Sequence, residues 1–383
     1  MDSKLRRYAR GAWGVTRVLL FLVNNLYAIP VYLVWMAVLA PLNWLAPAFY
    51  WAMEGFLFHS LVLFAGVLSY TAGFDLVELG DSISDLESER CLLLANHQST
   101  GDVPLLMTML SARRRAADNV LWIMDAMFKW THFGMVSQVR GDFFVESGKE
   151  KRDKSVQELR EQMPRNYLSL DRKWIILFPE GGFLWKRRAA SQRFAEKQGL
   201  PHIQHVTLPR LGAAQAVLEK LGPTARGKEN HCNGHGDHNG AGSARPSLRW
   251  VIDVTIAYPE ADRPLDLLAV MAGNRPPCNV LMYYRVYDID QVPTDTEGLT
   301  SWLYKLFIEK DAALSEYYRT GRMPELPGGR RPADQPSSPP RKLRQDLLEW
   351  ALRQAFFLAS VVVQWRAARL LWGWVGAAAA LVV

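Results

Sequence analysis

The sequence predicts an α/β domain, a sheet surrounded by helices, set between apolar chain ends. Three observations lead there. Short apolar runs such as Cys91–Ala95 and Trp174–Phe178 are bounded by turn residues and separated by helix-length segments, the pattern of a parallel or mixed sheet. No residue from Val18 to Met53 is charged, and Glu54 alone separates that run from the uncharged Gly55–Phe74. The 383 residues as a whole are nevertheless 22% charged and 49% apolar, with a mean hydropathy of −0.07. That excludes a transporter of many spans.

The composition also excludes disorder throughout, collagen, coiled coil and a disulfide scaffold. Cys91, Cys232 and Cys278 are the three cysteines, an odd and sparse set that suits a cytosol-facing protein. Lys and Arg number 45 against 38 Asp and Glu, a net charge of +7. Such a balance suits nucleic acid or an anionic membrane surface. The apolar ends, where the 14 Trp gather as interfacial anchors would, favour the membrane.

Residues 1–74 read as an N-terminal membrane anchor. About 20 apolar residues span a bilayer core, so segments near 18–40 and 53–72 are each long enough. Pro30 and Pro41 are expected to kink or end the first. The alternative for 53–72 is a buried helix of the domain core. Lys4, Arg6, Arg7, Arg10 and Arg17 precede the apolar run, so the positive-inside rule places that end, and residues 75–325 with it, on the cytosolic side.

Within 75–325, Cys91–Ala95, Val120–Met124, Trp174–Phe178, Val206–Leu208 and Trp250–Ala257 read as strands. Val139–Val145 is strand-like. Asp102–Leu110 reads as a helix with Asp102 at its N-cap and Pro104 in its first turn, and Lys149–Tyr167 as a polar helix. Residues 222–246, rich in Gly, Asn and His, read as a flexible insertion. Residues 326–345 read as a Pro/Gly/Ser-rich linker. Residues 346–383 form a C-terminal membrane-associated helix. Arg353, Arg366 and Arg369 favour a helix lying in the interface, with one tilted span as the alternative.

Chemistry concentrates where strands end. Asn96-His97-Gln98-Ser99-Thr100-Gly101-Asp102 follows one strand and opens a helix. Five positions on a continuous helix would set His97 and Asp102 about 140° apart, but Gly101 permits a turn that swings Asp102 back. A carboxylate on one imidazole nitrogen fixes the tautomer and raises the basicity of the other, as a general base for a hydroxyl requires. Phe178-Pro179-Glu180-Gly181-Gly182 offers a carboxylate and free N–H groups at a strand end. Arg140 stands beside Gly141, which allows close approach, and Arg210, between Pro209 and Leu211-Gly212, is a candidate phosphate fork; for either arginine a plain surface charge is the alternative.

In combination, Asn96-His97 with Asp102, Gly141-x-Phe143-Phe144, Phe178-Pro179-Glu180-Gly181 and Pro209-Arg210, in this order, resemble the glycerolipid acyltransferase superfamily. Val139–Gly148, Phe178–Phe183 followed by Lys186, Arg187 and Arg188, and Asp253–Pro259 resemble the lysophospholipid acyltransferases of the endoplasmic reticulum. Trp302-Leu303, Glu309–Asp311 and Tyr317–Gly321 are similar to that group's C-terminal extension. The resemblance covers about residues 15–325. It implies an acyltransferase-type sheet, with His97 as catalytic base and Asp102 as its partner. It also implies substrate contacts from Asn96, Gly141, Phe144, Glu180, Gly181, Pro209 and Arg210, with Gly141 near the acceptor phosphate. No resident cofactor and no metal are implied, and acyl-CoA is the co-substrate. The acceptor is a lysophospholipid, lysophosphatidylglycerol or lysophosphatidylethanolamine first, with lysophosphatidic acid or monoacylglycerol as the alternative. One departure stands out. Many relatives carry an arginine shortly after the Phe-Phe pair, where Glu146 and Ser147 stand here.

Three rival readings stand against this one. His231, Cys232, His235, Asp237 and His238 are metal-ligand types but lie in the flexible insertion. Nucleic-acid binding has charge in its favour and no motif. A membrane tether that kept the fold and lost catalysis is opposed by the intact His97/Asp102 pair.

Overall fold

A computed structural model of the chain describes residues 3–146, 148–223, 248–332 and 338–380. Helices α1 (Ser3–Leu39), α2 (Leu42–Leu45) and α3 (Pro47–Thr71) lead into strand β1 (Phe74–Gly80). Then come β2 (Cys91–Ala95), α4 (Asp102–Ser111), α5 (Arg114–Asp118), β3 (Val120–Asp125), α6 (His132–Arg140), β4 (Phe143–Val145) and α7 (Lys149–Gln162). After these follow β5 (Trp174–Leu177), α8 (Leu184–Lys197), α9 (Leu211–Leu221), β6 (Trp250–Ala257), α10 (Leu267–Ala272) and β7 (Cys278–Asp288). The chain closes with α11 (Thr296–Thr320), β8 (Arg341–Lys342) and α12 (Leu347–Ala380).

The strands form one mixed sheet in the order β4-β3-β5-β2-β6-β7-β1-β8. The first five run parallel, β7 runs antiparallel to β6, and β8 antiparallel to β1. The all-apolar β2 and β5 lie inside the sheet, as burial on both faces requires. Leu93 and Ile176 point into the core shared with α3 and α4, while Leu92, Leu94 and Ile175 pack toward α7 and α9. Because β5, β2 and β6 are adjacent and parallel, their carboxyl ends meet at one edge. In open α/β sheets that edge is where ligands bind.

Three helices are long and apolar enough to cross a membrane, Gly11–Leu39, Pro47–Thr71 and Leu347–Gly373. The chain is a membrane protein. α1 runs unbroken through Pro30 and stops at Leu39, just ahead of Pro41. α3 differs from the other two: 67% of its most apolar window is buried, against 28% for α1 and 17% for α12. Glu54, the charge that interrupts the apolar run, faces inward. It is fully buried, 2.6 Å from Arg140, 3.4 Å from Arg172, and accepts from the Tyr32 hydroxyl. α12 is one continuous helix. Its Arg353 pairs with Glu349 and donates to the Phe56 carbonyl and Ser60 hydroxyl, so this charge turns toward protein, not lipid.

Several local expectations are corrected. Val139 and Arg140 end a helix and not a strand, because Gly141 takes a left-handed φ of 78° as the helix cap; only Phe143–Val145 is strand. Val206–Leu208 forms no ladder. Its N–H groups go to the side chains of Asp311, Glu180 and Ser191. Gly101, not Asp102, occupies the N-cap of α4. Over its described residues, the segment 326–345 lies against the domain: Leu326 and Leu343 are buried, and β8 extends the sheet. Most of the expected insertion at 222–246, with the His231–His238 cluster, lies outside the described residues.

Candidate active site

The carboxyl ends of β2, β5 and β6 deliver His97, Glu180 and Tyr258 to one place. His97 Nδ1 lies 2.9 Å from Asp102 Oδ2. The turn that closes this distance needs Gly101, where a Cβ would sit 2.0 Å from the Leu265 carbonyl oxygen. Asp102 is fully buried. Its Oδ2 also accepts the Ser99 N–H at 2.9 Å, and its Oδ1 accepts the Tyr258 hydroxyl. The carboxylate thus meets three donors, which compensate its burial. Burial, and then the Asp102 charge, push the Tyr258 hydroxyl well above its ordinary pKa, so it stays a donor.

With Nδ1 engaged, Nε2 of His97 is the nitrogen left for a reactant. The ring lies against Phe178, with centroids 4.0 Å apart and planes 20° from parallel, and tilts against Phe183 at 4.4 Å. Two apolar walls fix its orientation and exclude water. The His97 carbonyl accepts the Leu184 N–H at 2.8 Å, which ties the first turn of α8 to this loop.

Glu180 braces the loop from the other side. Its Oε1 accepts the His97 N–H at 2.6 Å, and its Oε2 accepts the Thr207 N–H at 2.8 Å and hydroxyl at 2.7 Å. Complete burial pushes its pKa up to about 7, against the opposing pull of those donors. Both oxygens are thereby occupied. Asn96 is occupied as well: its side chain donates to the Ile256 carbonyl at 3.1 Å and accepts the Ile256 N–H at 2.7 Å, adding one side-chain rung to the β2–β6 ladder.

Gly181 follows with a φ of 68°, and a Cβ there would meet Arg210 Cδ at 3.1 Å. Pro209 is buried, and the Arg210 N–H donates to the Pro179 carbonyl at 2.7 Å. Gly181, Pro209 and Arg210 therefore share one wall beside Glu180. Gly141 stands apart. The register pairs Phe143 with Ile123, Ile123 with Leu177, and Leu177 with Leu94. That sets Gly141 below the carboxyl edge and three strands from β2, where its carbonyl accepts the Asn166 side chain at 2.9 Å. Phe144, half-buried and opposite Met124, lies higher on the edge strand. Arg140 is no phosphate fork and no surface charge, being fully buried on Glu54. Tyr258, Phe183 and Thr207 are not singled out by the sequence as site residues: the sheet order brings Tyr258 beside His97, Phe183 packs on its ring, and Thr207 arrives through Glu180.

A histidine held by a buried aspartate between apolar walls, at the carboxyl edge of parallel strands, can take a proton from a hydroxyl or thiol. Comparison with known proteins names the class. Residues 80–213 match the family model described as Acyltransferase, and residues 272–352 the model described as Acyltransferase C-terminus. The chain belongs to the glycerolipid acyltransferase superfamily and is an acyl-transferring enzyme. It is 42% identical over 320 residues to acyl-CoA:lysophosphatidylglycerol acyltransferase 1 of Mus musculus, covering 82% of this chain and 85% of that one. The Homo sapiens protein of the same name is 41% identical over 82% of this chain and 84% of its own. Lysocardiolipin acyltransferase 1 of Gallus gallus is 26% identical over 74% of this chain and 68% of its own. The crystal structure of the 1-acyl-sn-glycerophosphate acyltransferase of Thermotoga maritima superposes with a TM-score of 0.39 at 12% identity, over 76% of this chain and 97% of that one. That superposition is too loose to bear on the site.

Proposed function

We propose that the chain transfers a long-chain acyl group from acyl-CoA to the free hydroxyl of a lysophospholipid, with His97 as general base and Asp102 as its orienting partner. The observation that carries this reading is the 2.9 Å contact between His97 Nδ1 and Asp102 Oδ2. His97 Nε2 takes the hydroxyl proton as the oxygen attacks the thioester carbonyl. The C–S bond breaks as the tetrahedral intermediate collapses, and the CoA thiolate takes the proton back from Nε2. No covalent enzyme intermediate is needed. Glu180 holds the His97 loop from behind, and Gly181, Pro209 and Arg210 form the substrate-facing wall. The names of the relatives support lysophosphatidylglycerol as acceptor.

The site works at the endoplasmic reticulum membrane and faces the cytosol, where acyl-CoA arrives. Lys4, Arg6, Arg7 and Arg10, at the start of α1 ahead of its apolar run, support that orientation. Arg17 does not count among them, since it is buried and donates to the carbonyls of Leu68, Val270 and Met271. Trp185, in the first turn of α8, is 68% exposed, as an interfacial anchor beside a lipid site would be.

Labelled oleoyl-CoA and the purified protein in micelles, with a panel of lysophospholipids, lysophosphatidic acid and monoacylglycerol, test the acceptor. Highest kcat/KM for a phosphodiester lysolipid is expected. Preference for lysophosphatidic acid over every phosphodiester acceptor contradicts the proposal.

A further inference from the structure

A cavity lies across the domain from His97. Helix α4 starts at Asp102, beside the catalytic loop, and its ten residues carry the chain about 14 Å away to Ser111. There, toward the amino ends of the parallel strands, Ser111, the start of α5, strand β8 and the first turn of α12 bound an open cavity of about 520 Å³. Its floor is polar and fixed. The Ser111 hydroxyl donates to Gln345 Oε1 at 2.7 Å, and both pack over Gly66, where a Cβ would collide with that same Oε1. His59, which also lines the cavity, donates from Nε2 to the Ser111 carbonyl at 3.2 Å. The ring is 1% exposed and its Nδ1 has no hydrogen-bond partner, with Asp118 out of reach at 3.7 Å. A buried nitrogen left unpaired is costly unless a ligand group meets it.

The rim is basic. Arg114, Arg341, Lys342 and Arg344 line it, against two acids, Asp346 and Glu349. Glu349 is already paired with Arg353, and Asp346 caps α12 by accepting the Glu349 N–H at 2.8 Å. Lys342 is taken by Asp75 at 2.6 Å, and Arg114 stands 3.7 Å from Asp118. Among the described residues, Arg341 and Arg344 are in no ion pair and no side-chain hydrogen bond. Two free guanidinium forks beside a helix N-terminus make a seat for an anion.

The neighbouring surface decides which anion. The basic run ends where α12, long and apolar enough to cross a bilayer, begins. Charged side chains avoid hydrocarbon, so the cavity opens at head-group depth. Leu348 and Leu352, one turn apart on α12, are 71% and 64% exposed, and Leu352 lies one turn beyond Glu349 of the rim. An anion seat with an apolar stripe leading away from it fits an amphiphile, its charge in the cavity and its chains along α12. We propose that this cavity seats the head group of an anionic phospholipid of the surrounding bilayer, held beside α12 as a resident lipid and not as a substrate.

The test is native mass spectrometry of the full-length protein in detergent micelles, titrated with dioleoylphosphatidylserine or dioleoylphosphatidylcholine. Neither lipid has a free glycerol hydroxyl, so neither is an acyl acceptor. One phosphatidylserine is expected to bind at least about tenfold more tightly than phosphatidylcholine, the worth of a charged hydrogen bond. Arg341→Gln/Arg344→Gln should abolish that preference. Lys305→Gln/Arg322→Gln, the same loss of charge at exposed positions on and just after α11, should keep it. Arg341 and Arg344 are themselves exposed, so an unchanged Tm is expected in both double variants. Glycerophosphoserine, the head group without chains, should bind far more weakly than the lipid. Equal affinity would assign the cavity to a soluble phosphate ester and overturn the lipid as occupant. No preference in wild type, a preference that survives Arg341→Gln/Arg344→Gln, or an equal loss in both double variants overturns the proposal. An arginine-dependent preference in a protein that transfers no acyl group would overturn the acyltransferase reading alone and leave the lipid seat standing.

Discussion

Asp102 is held by three donors of unequal consequence. The Ser99 N–H comes with the turn, and His97 is the group being oriented. The Tyr258 hydroxyl alone comes from another strand, and only its removal tests the carboxylate without touching the loop. Tyr258→Phe keeps the ring in its buried slot and removes one charged hydrogen bond, worth about 1.5 kcal/mol. kcat should fall about tenfold with KM for both substrates unchanged, measured by steady-state transfer. An unaltered kcat would mean that Asp102 needs no support from β6. Glu180 makes a different claim, on pH. Its folded pKa of about 7 stands above the ordinary 4.5, so between these values the folded protein binds more protons than the unfolded one. Stability contributed by this group is full below about 4.5 and is lost as pH rises through about 7. Thermal unfolding across that window should show Tm falling with pH. Glu180→Gln should flatten the slope, while also leaving an amide NH₂ facing the donors of His97 or Thr207.

At the scale of elements, the edge is kept in register from behind by α11. Lys310 is fully buried. It lies 2.8 Å from Asp253 and donates to the carbonyls of Val254 at 2.6 Å and Leu94 at 3.4 Å. Those two residues sit on β6 and β2, shortly before Tyr258 and His97. Asp253 also meets Arg285 at 2.8 Å. Lys310→Met removes one partner of a buried network and should cost about 3 kcal/mol, read as a lower denaturant midpoint with an unchanged slope. Much of this layer was legible beforehand. Cys91–Ala95 and Trp174–Leu177 are apolar runs with turn residues at their ends, as burial on both faces demands, and Trp250–Ala257 departs from that pattern only at Asp253 and Thr255, both buried. Val206–Leu208 has the same apolar character, yet side chains from Glu180, Ser191 and Asp311 claim its N–H groups, and no local rule foresees partners so distant in the chain. Gly141 reads as part of a strand for a related reason: its neighbours are strand-like, and only its positive φ of 78° marks it as a helix cap.

For the whole molecule, the sheet order converts a linear set of motifs into one site. β5, β2 and β6 are neighbours only because the chain crosses over, so the convergence of His97 with Asp102 was readable from spacing while the arrival of Tyr258 was not. The membrane layer shows the same limit. Apolar sequence satisfies lipid and protein core alike, so the inward turn of α3, fixed by Glu54 on Arg140 and Arg172, could not be separated from a lipid-facing span by composition. Arg17 and Arg353 then fasten α1 and α12 to the domain, Arg17 through the carbonyls of Leu68 and Val270 and Arg353 through the Phe56 carbonyl and the Ser60 hydroxyl. The acyltransfer edge is thereby tied to the same helices that meet the bilayer. Everything in this account turns on His97 as the base. The most direct measurement is the rate of acyl transfer from oleoyl-CoA to lysophosphatidylglycerol by His97→Ala, in protein whose far-UV circular dichroism and membrane association match wild type. A loss of about a hundredfold or more, the share of a general base, is the predicted result. A rate near wild type would contradict the account, whatever the remaining geometry of the edge.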